Sequence, residues 1–208
     1  MSMNDLSTSK NTTVAVFDFD GTISDRHTFW RYLRFIAKPH VFWPSLLPLG
    51  LTITNVVRKK TTLMDGRVAF IERFLGGMPI ETEKKYAADF IAGPLKDWIR
   101  PEAVRRLKWH QAKGHKTILV SNAPENYLVP WGQSMGFDHI CGSRLEVVDQ
   151  RLTGRIDGKN CVDDEKVRRL REHLGDLNDF FIYAYGDSTG DHALLEVADR
   201  PFYKNWYK

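Results

Sequence analysis

Three short apolar runs along the chain each end on a polar residue. Residues 14–17 read VAVF and stop at Asp18, residues 117–120 read TILV and stop at Ser121, and residues 180–185 read FFIYAY and stop at Gly186-Asp187. Continuous runs this short, rich in β-branched and aromatic side chains, predict strands buried on both faces, as in parallel sheets. Helical patterns follow at 125–135 and 191–198, and 163–174 reads as an amphipathic helix with Val167, Leu170 and Leu174 on one face. Strand, polar loop and helix in alternation predict a parallel α/β sheet. The ligand site of such a sheet lies beyond the carboxyl ends of its strands, so three polar clusters at three strand ends predict one shared pocket.

Residues 25–100 interrupt the alternation. Helical patterns at 28–37, 62–74 and 81–91 are punctuated by Gly76-Gly77 with Pro79 and by Gly93-Pro94. This predicts two lobes: a core from residues 1–24 and 101–208, and a helical cap from 25–100 seated above the strand ends. Residues 144–148 and 151–156 alternate polar and apolar positions around Asp149-Gln150, which predicts a hairpin appended to the core. Residues 41–57 carry no charge, but they are short for a bilayer span and are broken by Pro44, Pro48 and Gly50. A buried cap helix is the expectation there, ahead of an interfacial segment and of a full span.

Composition adds little except in its distribution. The 208 residues are 42% hydrophobic and 27% charged, ordinary for a globular protein. Residues 1–12 are polar, read as a loose leader, and lack the layout of a secretion signal. Cys141 and Cys161 are too few for a disulfide framework, and the expected compartment is the cytoplasm, with both thiols reduced. The net charge of +4 does not by itself imply nucleic acid, and none is expected as a partner. Between Arg26 and Lys60, however, there are seven Lys or Arg residues and no acid, interleaved with Phe29, Trp30, Tyr32, Phe35, Phe42 and Trp43. Such a surface favours anionic partners, either phosphorylated small molecules or acidic lipid head groups. A solvated basic helix face above a packed apolar one explains the same pattern equally well.

Four clusters carry candidate chemistry. Asp18-Phe19-Asp20-Gly21-Thr22 follows the first predicted strand. Two carboxylates this close repel unless a cation lies between them or one is protonated. Magnesium takes oxygen ligands of this kind, so Asp18 can be both ligand and nucleophile, while Asp20 can give and take a proton. Gly21 permits a tight turn beside the ligand. In the second cluster, Ser121-Asn122 before a helix supplies a hydroxyl and backbone N–H groups for an anion, although an ordinary N-cap would look the same. In the third, Gly186-Asp187-Ser188-Thr189-Gly190-Asp191, Asp187 can complete a magnesium shell. Asp191 can ligate, or can orient Lys166 or a water, and a capped helix start satisfies the same residues. The fourth is Lys166, singled out by its place between the Ser121 and Asp187 clusters, where a lysine can neutralise a transferring phosphoryl group.

In this order the DFDGT, the serine after an apolar strand, the downstream lysine and the GDxxxD resemble the haloacid dehalogenase superfamily. Within it the chain looks like subfamily IB, the phosphoserine-phosphatase-like branch. The resemblance covers about 120 residues outside the insertion. It implies a Rossmann-like parallel-sheet core with an inserted C1-type helical cap, and a magnesium cofactor. It implies Asp18 as nucleophile and Asp20 as general acid/base, Ser121, Asn122 and Lys166 on the phosphate, Asp18, Asp20 and Asp187 around the metal, and Thr22 and Asp191 in support. Aspartate at both positions of the first motif looks like the phosphatases rather than the dehalogenases. Phosphoserine phosphatases of this branch carry an acid nine positions after the nucleophile to meet the substrate amine; here that position is His27, which argues against a serine substrate. The cap is similar in composition to the subgroup that includes bacterial phosphatidylglycerophosphate phosphatases.

The expected function is therefore a magnesium-dependent phosphomonoester hydrolase acting on a small organic phosphate, working as a monomer. His27, Arg26, Arg31 and Arg67 are candidates for contacts beyond the phosphate. The alternative is a phospholipid head-group phosphatase that meets a membrane surface through the basic cap. A non-catalytic phosphate-binding module is the remaining reading, disfavoured by the complete acid set.

Overall fold

In the computed structural model of the chain, the described residues are 12–37, 42–44, 46–47, 50, 54 and 63–204. The polar leader up to Asn11, ten of the seventeen residues of the uncharged stretch at 41–57 where a buried cap helix is expected, and the basic residues Arg58, Lys59 and Lys60 lie outside them. Five parallel strands form the central sheet: β1 (Thr12–Phe17), β2 (Lys116–Pro124), β3 (His139–Ser143), β6 (Phe180–Gly186) and β7 (Arg200–Tyr203). Their spatial order is β3-β2-β1-β6-β7. The chain builds outward from β1 through β2 to β3, then returns to the other side of β1 with β6 and β7. β1 is therefore central, and the order reverses beside it, where α/β sheets open a crevice at their carboxyl edge.

The apolar run of β1 is continuous because both faces are covered. Val14 and Val16 pack with Ile118, Val120, Val167, Leu170, Ile182 and Leu194 on one face. Ala15 and Phe17 turn to the other face, among Leu107, Leu119, Tyr127, Trp131 and Tyr185. Side chains alternate across a strand, so a run with no polar position is compatible only with two buried faces. Cys141 and Cys161 belong to the first face; both are free, and burial pushes their thiols up to about 11 and about 12, respectively.

Between β1 and β2 come α1 (Thr28–Ala37), α2 (Leu63–Leu75), α3 (Ile80–Ala92), a 3-10 turn (Pro94–Trp98) and α4 (Pro101–Ala112). α5 (Glu125–Ser134) joins β2 to β3, and α6 (Asp164–Leu174) precedes β6. α7 (His192–Glu196) follows β6, and β4 (Leu145–Val148) pairs antiparallel with β5 (Arg151–Ile156). The inserted helices share one apolar body with the sheet: Tyr32, Leu33, Ile71 and Phe90 pack in the cluster that also holds Phe17, Phe19 and Tyr127. Among the described residues, no helix is long and apolar enough to cross a membrane.

Two expectations change. The hairpin docks on the inserted helices rather than standing as an appendage of the sheet. Gly77 N–H donates to Leu152 O, Ile80 N–H to Gln150 O, and Leu152 N–H to Met78 O. Gly154, at φ +90°, lies against α2, where a Cβ would come within 2.5 Å of the Glu72 Cα. The second change is in β2, which does not stop at Ser121. It runs to Pro124, with its register against β3 shifting between Val120 and Pro124. A bulge of this kind bends a strand and re-aims its side chains, here at the serine of the second cluster.

Candidate active site

The chain turns sharply as it leaves β1. The carbonyl of Phe19 accepts hydrogen bonds from the N–H groups of Thr22, Ile23 and Ser24, and the Asp18 N–H donates to Tyr185 O. This holds Asp18, only 4% exposed, at the carboxyl end of the central strand. Gly21 sits in the turn at φ +80°, and a Cβ built there would fall 2.1 Å from Asp187 Oδ2. The DFDGT turn and the loop after β6 are thus pressed together with no room for a side chain between them. Thr22 is buried beneath, and its Oγ1 has no hydrogen-bond partner.

Lys166, near the start of α6, is 2% exposed and reaches across the sheet edge. Its Nζ donates to Asp18 Oδ1 at 2.6 Å and to Asp191 Oδ1. Asp191 is fixed in turn: its Oδ2 accepts from the N–H groups of Asp187 and Ser188 and from Ser188 Oγ at 2.8 Å. Burial works against the lysine's charge, but the Asp18 and Asp191 carboxylates overcome it and hold its pKa above the usual range. Burial raises Asp191 less than Lys166 and Ser188 lower it, so it remains a carboxylate. Asp18 is pushed up to about 7, because burial outweighs the attraction of Lys166 and the neighbouring Asp191 adds to the shift. Asp187 is also raised, first by burial and then by Asp191.

Burial is the first cause of both shifts, and a cation among these oxygens would offset it. Ligand oxygens of Asp18, Asp187 and Asp191 lie within 4.8 Å of one another, and Asp187 Oδ1 is buried without a hydrogen-bond partner. An all-oxygen set with an orphaned carboxylate oxygen fits magnesium. Both Asp191 oxygens are already engaged, so Asp18 and Asp187 are the residues that would hold the ion, with Asp191 fixing Lys166 and the loop around it.

Asp20 stands apart from this cluster. Its Oδ1 accepts from the Thr28 N–H at 3.0 Å and from Thr28 Oγ1 at 2.6 Å, at the first turn of α1. Because the Thr28 hydroxyl gives its one proton to Asp20, the Tyr127 hydroxyl, 2.8 Å away, must donate to Thr28. Burial raises the Asp20 pKa against these hydrogen bonds, which suits a carboxyl that must deliver a proton. Neither Thr28 nor Tyr127 was singled out from the sequence. A threonine at a helix start and a tyrosine on a helix are unremarkable locally, and the pair meets only through contacts 8 and 99 residues apart. Thr28→Val removes the hydroxyl donor, leaving the N–H, while keeping the volume. A fall in kcat of about tenfold, with a smaller change in KM, is expected from steady-state kinetics. Tyr127→Phe leaves the Thr28–Asp20 bond in place and should stay within about threefold of wild type. Equal losses in both variants would assign the tyrosine a role of its own.

Asp18, Asp20, Ser121, Asn122 and Lys166 line one cavity of about 320 Å³. Ser121 is buried, and its Oγ accepts weakly from the Ala123 N–H at 3.3 Å. The Asn122 side-chain oxygen is taken by Ser143 Oγ. From the inserted helices, Arg67, His27, Phe29 and Trp30 complete the wall. Arg67 is buried and stacks over Phe29 at 4.2 Å. One of its terminal nitrogens donates to Asn122 O at 2.6 Å, and its Nε has no hydrogen-bond partner. Burial lowers its pKa, opposed by Tyr127 and Asp20. His27 is exposed at the rim, and Arg26 lies outside the cavity, paired with Asp25 at 3.3 Å. A larger groove of about 1250 Å³ runs beside α6 but contains none of Asp18, Asp20, Ser121, Lys166 or Asp187.

The family described as haloacid dehalogenase-like hydrolase matches residues 15–196. Protein CicA of Caulobacter vibrioides is 32% identical over 193 residues, which span 92% of this chain and 85% of that protein. A phosphoserine phosphatase of Archaeoglobus fulgidus is 30% identical over 144 residues, 65% of this chain and 40% of that protein. Among solved structures, a protein of unknown function from Bordetella pertussis Tohama I superposes with a TM-score of 0.80 at 24% identity, covering 92% of this chain and 89% of that one. A phosphoserine phosphatase in a form analogous to its phospho-aspartyl intermediate superposes with a TM-score of 0.59 at 20% identity, covering 90% and 83%. At these identities the two structures share the fold.

Proposed function

The chain belongs to the haloacid dehalogenase-like hydrolases, and from that membership we propose that it is a magnesium-dependent phosphatase that hydrolyses a small organic phosphomonoester through a phospho-aspartate on Asp18. The observation that carries the proposal is the Asp18–Lys166–Asp191 arrangement at the end of β1, with Asp20 turned aside and held by Thr28. The likeness to a phosphoserine phosphatase over 65% of the chain supports the reaction type.

In this reading an Asp18 carboxylate oxygen attacks phosphorus as the bond from phosphorus to the ester oxygen breaks. Asp20 gives its proton to the departing alkoxide. It then takes a proton from the water that attacks the aspartyl phosphate, releasing inorganic phosphate and restoring the Asp18 carboxylate. Lys166 would meet the equatorial phosphate oxygens, and Ser121, in the wall of the same cavity, would bind the phosphate with it. Bound magnesium would neutralise charge on the phosphate and on the paired carboxylates. Residues 25–100 act as a cap, contributing Arg67, Phe29 and Trp30 to the wall and excluding water. His27 offers no carboxylate for an ammonium group, which argues against phosphoserine as the substrate.

The test is magnesium-dependent phosphate release across phosphoserine, sugar phosphates, amino-alcohol phosphates, p-nitrophenyl phosphate and a phospholipid with a terminal phosphomonoester in micelles. Turnover of at least one compound that EDTA stops and added magnesium restores is expected. Silence across the panel from folded, magnesium-loaded protein would reject the reading in favour of a binding module.

A further inference from the structure

A second cavity, of about 690 Å³, adjoins the catalytic one, and His27 and Trp30 stand in the walls of both. Gly21 and Asp187 also line it, and Asp187 lies within 4.8 Å of Asp18 in the lining of the catalytic cavity. Its sides are cationic: Arg26 in the loop before α1, Arg31 and Arg34 from α1, Arg100 ahead of α4, and Lys204 after β7. The acids of the lining are Asp25 and Asp187. Asp25 is already paired with Arg26, and Asp187 belongs to the metal cluster. Among the described residues, Arg31 and Arg34 have no carboxylate at ion-pair distance.

This distribution is not an ordinary solvated helix face. Three residues apart on α1, Arg31 and Arg34 are neighbours on one side of the helix. The opposite side, Phe29, Tyr32, Leu33 and Ile36, is buried. The Arg31 guanidinium is held over the Trp98 ring at 5.1 Å, which orients its donor fork, and Lys204 lies over Tyr203 at 4.8 Å. Trp30, 43% exposed, is braced edge-on by Phe29 and Phe70 and offers an apolar wall between the two cavities. Like charges gathered in a cleft repel one another, and an anion with several oxygens relieves that repulsion. Guanidinium forks suit phosphate because they can donate to two of its oxygens at once.

We propose that this cleft is a subsite for a second anionic group on the substrate, so that the substrate class is a phosphomonoester joined through a short linker to a further phosphate or phosphodiester. The proposal rests on the phosphatase reading above. In it the scissile phosphate lies against Asp18 and Lys166, the linker passes Trp30, and the second anion meets Arg31 and Arg34, with Lys204 across the cleft. The second group is the free phosphate of a soluble bisphosphate or the diester phosphate of a lipid head group; both present the same oxygens.

The experiment compares kcat/KM for the monophosphate and the bisphosphate of the same short alkanediol, in wild type and in the double variant Arg31→Ser, Arg34→Ser. Wild type should prefer the bisphosphate by about tenfold or more, beyond the factor of two for its two scissile groups. The preference should shrink as salt is raised. The double variant should bring the ratio close to two. A short-chain phospholipid whose head group ends in a phosphomonoester, in neutral micelles, forms the second arm. Faster turnover of the lipid than of the bisphosphate assigns the diester source, and the reverse assigns the soluble one. A wild-type ratio near two overturns the subsite, as does a ratio that the double variant leaves unchanged because both substrates slow equally. If no phosphomonoester is turned over, including p-nitrophenyl phosphate, the phosphatase reading has failed. Calorimetry on the Asp18→Asn protein then reads the cleft directly: tenfold tighter binding of bisphosphate than of monophosphate upholds it, and equal binding overturns it.

Discussion

Asp18→Asn is expected to lower kcat by at least about 10,000-fold while the protein stays folded. The magnitude follows from removing a nucleophile rather than weakening a contact: an amide oxygen cannot carry the covalent intermediate, and only binding and electrostatic positioning remain. The stability expectation has its own physical basis. Asp18 is 4% exposed, and its pKa is pushed up to about 7 by burial despite Lys166. A carboxyl whose pKa is raised on folding is destabilising when ionised, so replacing it with a neutral isostere removes that cost. Lys166 keeps Asp191 as a partner, so no charge is left buried alone. Chemical denaturation should therefore show the variant within about 1 kcal/mol of wild type, or more stable. Intact-mass analysis of acid-quenched wild type should show a phosphoryl adduct that the variant lacks. Near-normal turnover in the variant would remove Asp18 from the mechanism altogether.

Gly21→Ala should also be strongly damaging, although the residue has no chemistry of its own. At φ +80° an alanine is strained by roughly 1–2 kcal/mol. The larger effect is local: the new Cβ would fall 2.1 Å from Asp187 Oδ2 and 2.4 Å from its Cγ, so the carboxylate must move. Displacing a ligand or its support typically costs 10–100-fold in metal affinity. The expected result is a magnesium requirement raised by about that factor and a kcat/KM at saturating magnesium down by about 100-fold. Thermal denaturation across a magnesium series gives a readout independent of turnover. Wild type should gain stability with the metal, and the variant should gain much less at equal concentrations. If both respond alike, Asp187 does not bind the ion.

The strands were legible because both faces of a central parallel strand are buried, which writes an unbroken apolar run into residues 14–17, 117–120 and 180–185. The edge strands were not. His139–Ser143 is short and polar, and Arg200–Tyr203 carries Pro201, a residue that sheets tolerate only at an edge. α1 was readable because its buried and exposed positions recur at helical spacing. The hairpin was recognised by its alternation, but its docking against α2 was not, since period-two patterning names a buried face without naming what covers it.

The same division holds at the site. Asp18, Asp20, Gly21 and Asp187 announce themselves by local chemistry: a carboxylate at the end of an apolar run, two acids too close to coexist without a cation, and a glycine in a tight turn. Those signals are carried within a few residues, and the sequence by itself determined them, together with the order of the four clusters and the class of the sheet. Only the tertiary structure decided which groups complete them. Lys166 and Arg67 were candidates in the sequence, but the fold alone decided that Lys166 meets Asp18 across 148 residues, that Tyr127 supports Asp20 through Thr28 across 99, and that Arg67 closes the wall beside Asn122. Such pairings depend on how separately folded segments dock. Docking is set by the shape and burial of whole faces, which no short-range pattern along the chain encodes.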